Sequence, residues 1–360
     1  MKYHCSITKR TFHFRQPAGT SRGIYHEKVS WLVTLTDAEG RKGVGECSPL
    51  PDLSCDALPD YEEILAECCN IVAISGRTDF DELRPYPSAV FGLETAIRNL
   101  EAGSPAFFNT PFSRGEKGIP INGLVWMGTF REMAERVEEK LRLGFRCIKL
   151  KIGAIDFEEE LRLLHHIRER YTPEEVELRV DANGAFGVEE ALKKLERLAP
   201  LVIHSIEQPI RPQWRSKETE RPWDDMARIC RESPIAVALD EELIGANRPD
   251  EKRELLDAVR PQYIVLKPSL HGGMNGVSEW VNEAKKRGIG SWITSALESN
   301  VGLNAVAQLA AKLYGTKRLM PQGLGTGALF TDNIPMPIEV RGDHLWFCPQ
   351  QGQAAVPILV

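Results

Sequence analysis

From about residue 119 onward, short apolar segments alternate with amphipathic ones, and this alternation constrains the fold more than any other feature. Segments with helical periodicity separate the apolar runs, for example Phe130–Leu143, Asp156–Tyr171 and Val188–Leu198. The strand-like runs lie near residues 119–125, 146–152, 176–181, 201–207, 235–240, 262–267 and 289–295. Alternating strands and helices predict a parallel sheet. Because there are seven such strands and no Gly-x-Gly-x-x-Gly turn opens a helix, we expect a closed α/β barrel, a modified (β/α)7β TIM-like barrel, rather than an open sheet.

The N-terminal region has the character of a separate α+β unit. Strand-like runs near 3–14, 27–36 and 42–47 precede helical patterns at about 58–75 and 88–102. Residues 16–23, which join the first two strands, contain Gly and Ser and predict a mobile loop. The Pro- and Gly-rich stretch from Gly103 to Pro120 predicts a linker.

Short strand-like runs return after about residue 330, at 338–340, 345–348 and 356–360. We expect them to rejoin the N-terminal unit. The sequence thus predicts a capping domain over residues 1–112, a barrel over 113–325, and a C-terminal segment, 326–360, that returns to the cap.

Composition excludes several classes of function. The net charge of -6 argues against nucleic acid or an anionic membrane as the main partner. No apolar run is long enough to span a membrane, and the first residues contain no apolar signal core. The eight cysteines are scattered without a Cys-x-x-Cys pair, so we expect reduced thiols, no zinc site and a cytoplasmic location. The sequence does not predict an oligomeric state.

Two lysines alternate with aliphatic residues in Lys149-Leu150-Lys151. On a strand, residues two apart project from the same face, so both ammonium groups lie side by side. One interpretation is a solvated edge strand whose lysines discourage aggregation. The other is a functional pair in which like charges lower each other's pKa.

Charged residues also end the strands that follow. Intervals of 30, 26, 33 and 27 residues separate Lys151, Asp181, Glu207, Asp240 and Lys267 in turn, each about one strand–helix unit. In a barrel these strand ends meet at the catalytic face. A charge buried there costs several kcal/mol unless it is paired or bound to metal. The series therefore favours the functional interpretation of the lysine pair.

The three carboxylates, Asp181, Glu207 and Asp240, are hard oxygen ligands without Cys or His, which favours Mg²⁺ or Mn²⁺ over zinc. The alternative is that they cap helices or form salt bridges with Lys149 and Lys151. Lys151 and Lys267 stand on strands two and six, across the barrel mouth from each other. A divalent ion between amines suits a small carboxylate substrate: it can hold the carboxylate and stabilise the enediolate formed when a lysine removes the α-proton.

These motifs resemble those of a known family. The chain is similar to the enolase superfamily in its muconate-lactonizing subgroup, and within that subgroup to the o-succinylbenzoate synthases of menaquinone biosynthesis. The matching stretches are Lys149-Leu150-Lys151, Asp181-Ala182-Asn183, Glu207-Gln208-Pro209, Asp240-Glu241, Lys267-Pro268, Trp292 to Ser299 and Gly323 to Gly327.

The resemblance implies a role for each charged residue. Asp181, Glu207 and Asp240 would bind Mg²⁺. Lys151 would remove the proton alpha to the carboxylate of 2-succinyl-6-hydroxy-2,4-cyclohexadiene-1-carboxylate and then protonate the departing hydroxide, a syn dehydration. Lys267 would stabilise the enediolate, and Lys149 would tune Lys151. For substrate contacts, strand parity indicates Asn183 and Ser295, and Arg22 lies in a loop that could close over the site.

Two alternatives remain open. An N-succinylamino acid racemase or another cycloisomerase or epimerase would use the same frame. The resemblance implies that the racemases carry an arginine two residues after the sixth-strand lysine, where this chain has Ser269, and that dipeptide epimerases carry an Asp-x-Asp motif that residues 320–329 lack. A barrel that only binds carboxylates would be expected to lack a ligand or a lysine, and this chain has all five.

Overall fold

The N-terminal region is a three-stranded antiparallel sheet covered by two helices. The computed structural model describes residues 2–20, 23–213, 222–315 and 319–349. The first elements are β1 (His4–Thr20), β2 (Gly23–Thr36), β3 (Lys42–Cys47), α1 (Tyr61–Ser75) and α2 (Pro87–Ala102). The sheet order is β1-β2-β3. Helix α2 lies directly on β3 because Gly45 has no side chain, and a Cβ there would collide with the carbonyl oxygen of Gly92.

The hairpin between β1 and β2 is longer than the sequence predicts. After a register shift between His13 and Ala18, the ladder continues until Thr20 pairs with Gly23. The prediction of a loop over residues 16–23 is therefore wrong for most of that stretch. Glycine and serine content favours a loop, but a paired strand satisfies the same backbone groups whatever the side chains. Arg22 lies outside the described residues.

The barrel has the predicted alternation of strands and helices. Its elements are β4 (Ile119–Pro120), β5 (Gly123–Val125), α3 (Phe130–Arg142), β6 (Cys147–Lys151), α4 (Phe157–Arg168), β7 (Glu177–Asp181), α5 (Val188–Leu198), β8 (Ser205–Glu207), α6 (Asp224–Glu232), β9 (Val237–Leu239), α7 (Pro249–Val259), β10 (Tyr263–Leu266), α8 (Gly273–Lys286), β11 (Gly290–Ile293) and α9 (Asn300–Tyr314). Strands β5 to β11 form one parallel sheet in sequence order. The predicted barrel with an α+β cap is confirmed.

Residues 322–323 close the barrel as a short eighth strand. Gln322 pairs with Ile121 before β5, and Gly323 pairs with Thr294 after β11, both in parallel. The glycine-rich stretch that begins here thus contributes to the barrel wall. A Cβ on Gly323 would collide with the side chain of Thr294, which explains the glycine at this position.

The two faces of β6 show why charged and apolar residues alternate along this strand. Ile148 and Leu150 are fully buried in the main core, among residues that also include Leu178 and Val180 of β7. Lys149 is buried too, on the opposite face, which lines the barrel interior. Because β5 and β7 flank β6, the edge-strand interpretation is excluded.

The C-terminal strands do not join the N-terminal sheet. Strands β12 (Ile338–Arg341) and β13 (His344–Phe347) form a hairpin that pairs with β4, not with β1–β3. Contact with the cap comes earlier, where Arg15 N donates to Leu329 O at 2.8 Å and Thr331 N to His13 O at 2.9 Å. The return to the cap is thus made by the segment before the strands. Residues 356–360 lie outside the described ranges, and the domain boundaries stay a prediction.

Two further observations concern the described ranges as a whole. No helix within them is long and apolar enough to cross a membrane. All eight cysteines are free thiols. The cytoplasmic location stays a prediction.

Candidate active site

Three predicted residues form one row across adjacent strands. Lys151 pairs with Asp181, and Asp181 pairs with Glu207, in the parallel register of β6, β7 and β8. The next neighbour of Glu207 is Ala238 on β9, so Asp240 lies two residues further toward the mouth. The strand ends therefore bring the predicted carboxylates to one place, with Asp240 one pleat above the others.

The lysines and carboxylates, which we call the strand-end cluster, are joined by direct ion pairs. Lys149 Nζ lies 2.8 Å from Asp181 Oδ2 and 2.6 Å from Glu207 Oε2. Lys151 Nζ lies 2.6 Å from the same Asp181 oxygen. Lys267 Nζ contacts Asp240 Oδ2. The cluster is Lys149, Lys151, Asp181, Glu207, Asp240 and Lys267.

Burial and mutual charge shift the pKa values of this cluster. Burial alone would lower the pKa of Lys149 and of Lys267, but the neighbouring carboxylates outweigh it and raise both. The expectation that like charges lower the pKa within the lysine pair is therefore wrong for Lys149, since two carboxylates contact its ammonium group directly. Burial, assisted by the charge of Asp181, raises the pKa of Glu207 to about 8. Burial also opposes ionisation of Asp181, yet the two lysines of β6 hold its pKa below the ordinary value.

The three carboxylates are of the donor type that a divalent cation prefers, although their side chains are not arranged around a common point. Within the described ranges, no three His, Cys, Asp or Glu side chains form a group ready to hold a metal ion. The reason is the ion pairing that the sequence left as an alternative, in which lysine ammonium groups occupy one oxygen of each carboxylate. Glu207 Oε1 and Asp240 Oδ1, however, are buried with no hydrogen-bond partner among the described residues. Unpaired buried oxygens are costly, and a hard cation would satisfy both.

Strained backbone positions orient the cluster. Asn183 and Gln208 have positive φ angles of 45° and 40°, a region that residues other than glycine seldom adopt. Asn183 Oδ1 accepts from Lys151 Nζ at 2.7 Å. Gln208 Oε1 accepts from the backbone N–H of Asp240 at 3.2 Å and of Glu242 at 3.1 Å. Gln208 was not predicted as a site residue, although the matching Glu207-Gln208-Pro209 stretch contains it.

A cavity of about 780 Å³, counting its open mouth, lies above the cluster. Ser295 lines it as strand parity predicts, and its hydroxyl lies 2.6 Å from that of Thr326. Leu50 and Leu53, just after β3, also line the cavity. The sequence did not reveal this contribution of the cap, because nothing in the segment around them differs from an ordinary loop. Arg22, the third predicted substrate contact, lies outside the described residues.

The cavity floor is an aromatic ring supported by a buried cation. Trp292 lines the cavity, and the guanidinium of Arg179 stacks 4.5 Å from its ring centroid. Arg179 Nε bonds Glu177 at 2.7 Å, and its Nη1 donates to Pro321 O at 2.9 Å. The guanidinium of Arg179 thereby holds the ring of Trp292 in place.

Comparison with known proteins identifies relatives of this chain. The family model "Enolase C-terminal domain-like" matches residues 132–352. The o-succinylbenzoate synthase of Desulfotalea psychrophila is 44% identical over 366 residues, covering 92% of this chain and 95% of that protein. The crystal structure of MenC from the same organism superposes with a TM-score of 0.80 at 40% identity, covering 96% of this chain and all of that one.

More distant structures share the fold alone. The L-Ala-D/L-Glu epimerase of Bacillus subtilis superposes with a TM-score of 0.78 at 20% identity, covering 96% of each chain. The family model and the Desulfotalea relative together cover nearly the whole chain. This chain therefore belongs to the enolase superfamily and, within it, to the o-succinylbenzoate synthases, a family of carbon–oxygen lyases.

Proposed function

We propose that this enzyme dehydrates 2-succinyl-6-hydroxy-2,4-cyclohexadiene-1-carboxylate to 2-succinylbenzoate, a step of menaquinone biosynthesis. The observation that carries the proposal is the row of Lys151, Asp181 and Glu207 across adjacent strands, completed by the contacting pair of Lys267 and Asp240. The name of the relative that is 44% identical over 92% of this chain, o-succinylbenzoate synthase, supports 2-succinylbenzoate as the product.

Lys151 is the acid–base residue in this proposal. Its Nζ is held between Asp181 Oδ2 at 2.6 Å and Asn183 Oδ1 at 2.7 Å, and the side chain lines the substrate cavity. It takes the proton alpha to the ring carboxylate and then gives a proton to the departing hydroxide, which leaves as water. Because one group performs both transfers, proton and hydroxide leave from the same face of the ring.

Lys267 and Lys149 act as fixed cations. Lys267 follows β10, which lies four strands from β6 in the sheet order, and it contacts Asp240. In a closed barrel of eight strands its charge therefore faces the cavity from the side opposite Lys151. There it stabilises the negative charge that develops when the α-proton leaves. Lys149, bonded to both Asp181 and Glu207, keeps these carboxylates in place beside Lys151.

Asp181, Glu207 and Asp240 would hold the Mg²⁺ on which this mechanism depends, with Mn²⁺ as a substitute. When bound, the ion would hold the substrate carboxylate and stabilise the developing enediolate charge. Support comes from the unpaired buried oxygens of Glu207 and Asp240 and from an all-oxygen donor set.

The second candidate is racemisation of N-succinylamino acids on the same frame. Ser269 argues against it, since this side chain is buried and its hydroxyl bonds Glu298 instead of facing a substrate. A coupled assay of the dehydration beside a polarimetric assay of N-succinylamino acids separates the two functions. We expect rapid dehydration, and fast racemisation without dehydration would refute the proposal.

A further inference from the structure

A second cavity, which we call the side chamber, adjoins the central cavity at the end of β5. It encloses about 1090 Å³, counting its open mouth, between β1, β5, α3 and the segment that follows the eighth strand. The residues that line both cavities are Asn122, Leu124, Trp126, Gly325 and Thr326. These shared residues form a common wall of the two spaces.

The two cavities differ in the charge that they offer a ligand. In the central cavity each of the three lysines is bonded to a carboxylate. The rest of its lining is mainly apolar or neutral, with Leu50, Leu53 and Leu297 among it. The side chamber is lined by Arg15, Arg136 and Lys140 against a single carboxylate, that of Glu139. A ligand with two carboxylates could therefore place one at the strand-end cluster and the other beside the arginine and lysine side chains of the side chamber.

Arg136 is placed to receive a carboxylate at that wall. It is half-buried on α3, and its Nη1 donates to the carbonyl oxygens of Trp126 at 3.0 Å and Met127 at 3.1 Å. Both hydrogen bonds use the same terminal nitrogen, so Nη2 is not engaged by these two carbonyl groups. A guanidinium fixed in this way presents a fork that matches a carboxylate. Arg15, an exposed residue of β1, lines the same chamber, and its backbone N–H donates to Leu329 O.

We propose that the side chamber binds the carboxylate at the end of the substrate's succinyl chain, with Arg136 as its main partner and Arg15 as the second. This inference rests on the proposed function, because only a dicarboxylate needs such a subsite. The ring carboxylate then lies at the strand-end cluster while the chain passes Trp126. Arg15 and Arg136 are in this sense specificity-determining residues.

Binding of two ligands that differ only at the chain end tests the subsite. The ligands are 2-succinylbenzoate and 2-butyrylbenzoate, in which a methyl group replaces the terminal carboxylate. Calorimetry with Mg²⁺ present should show that the wild-type enzyme prefers the first by about tenfold or more. This preference should fall in both Arg136→Gln and Arg15→Gln, and in Arg136→Gln it should fall to about twofold. In each variant the cause should be weaker binding of 2-succinylbenzoate, with the affinity for 2-butyrylbenzoate unchanged.

Control variants separate the subsite from general damage. Arg131→Gln removes an exposed arginine of the same helix whose partner is Glu135, and it should keep the wild-type preference. Arg136→Lys, which keeps the charge but loses the fork, should restore part of it. Unchanged discrimination in both Arg136→Gln and Arg15→Gln would overturn the subsite while leaving the dehydration intact. Failure of the wild-type enzyme to bind either compound would instead contradict the proposed function, and with it the subsite.

Discussion

Two buried charged clusters lie at the carboxyl ends of the barrel strands, and they satisfy their charges in opposite ways. The strand-end cluster pairs lysines directly with carboxylates and leaves Glu207 Oε1 and Asp240 Oδ1 without partners among the described residues. The second, which we call the interface cluster, joins the N-terminal sheet to the barrel. Its members are Lys28, Ser30, Glu46, Ser48, Ser269, Glu298 and Ser299.

Both oxygens of Glu46 are fully used. Oε1 accepts from Ser30 Oγ at 2.8 Å and from Ser299 N at 2.9 Å, and Oε2 accepts from Ser299 Oγ at 2.6 Å and Gly302 N at 2.9 Å. Glu46 thereby caps α9 from the neighbouring sheet. Its cluster is complete as it stands, whereas the strand-end cluster has acceptors to spare. This difference separates a cluster that stabilises the fold from one that awaits a ligand.

The lysines differ in the same way. Burial lowers the pKa of Lys28, and the more distant charges of Glu46 and Glu298 do not reverse the shift. Lys28 donates to hydroxyl and carbonyl oxygens, at 3.3 Å for both Ser48 O and Pro49 O. Burial would lower the pKa of Lys149 too, but this lysine contacts two carboxylates directly, and they raise its pKa. The proposed function places chemistry in the strand-end cluster alone, and the following predictions test that division.

The largest expected effect is that of Lys151→Ala. Loss of the acid–base group should lower kcat by about 10³-fold or more while leaving Mg²⁺ binding largely intact. Steady-state kinetics and a metal titration measure both. The matched control is Lys252→Met, which removes a buried lysine that belongs to neither cluster and is bonded to Glu279 at 2.7 Å. Its kcat should stay near the wild-type value, and a near wild-type rate in Lys151→Ala would remove that lysine from its role.

Metal removal should have the next largest effect, and only on the strand-end cluster. Exhaustive chelation with EDTA should abolish the dehydration, and Mg²⁺ or Mn²⁺ should restore it. Saturating Mg²⁺ should also stabilise the wild-type enzyme by about 2–3 kcal/mol at roughly a hundred times its dissociation constant. Asp240→Asn should weaken this stabilisation, and Glu46→Gln should retain it. Activity untouched by chelation would contradict a metal site among the three carboxylates.

For the interface cluster we expect a loss of stability rather than of chemistry. Glu46→Ala removes the acceptor of four hydrogen bonds and leaves Lys28 without its nearest counter-charge, so it should lower the free energy of unfolding by about 3 kcal/mol. Urea unfolding measures the loss, and kcat of the folded enzyme should change by less than about threefold. Glu39→Ala, on an exposed turn of the same sheet, should cost less than about 0.5 kcal/mol. A Glu46→Ala enzyme of wild-type stability and low kcat would reverse the assignment.

The sequence revealed one of these clusters and not the other, for a physical reason. All members of the strand-end cluster except Lys149 stand at or just after the end of a barrel strand, so the intervals between Lys151, Asp181 and Glu207 reveal it. The interface cluster joins Glu46 to Ser299, which are 253 residues apart, and no periodicity connects them. The same limit hid Leu50 and Leu53, which enter the cavity from the cap. It also hid the pairing of β13 with β4, since the strand pattern does not specify which partner a strand will find.

Ser269 is the position where the two clusters meet, and its replacement should have the smallest effect. It follows Lys267 by two residues, yet its side chain is buried and its hydroxyl donates to Glu298 Oε1. Glu298 Oε2 also accepts from Ala296 N at 2.6 Å, so the carboxylate keeps one partner when the hydroxyl is lost. Ser269→Ala should therefore cost about 1 kcal/mol of unfolding free energy and leave kcat within about threefold.

The control for this variant is Ser278→Ala, which removes a hydroxyl bonded to a backbone carbonyl within α8. Urea unfolding and steady-state kinetics applied to both variants give the comparison. A tenfold loss of kcat at unchanged stability in Ser269→Ala would place Ser269 in the strand-end cluster. Ser269 would then act on Lys267 and would no longer count as part of the interface cluster. The interface cluster would in that case begin at Glu298.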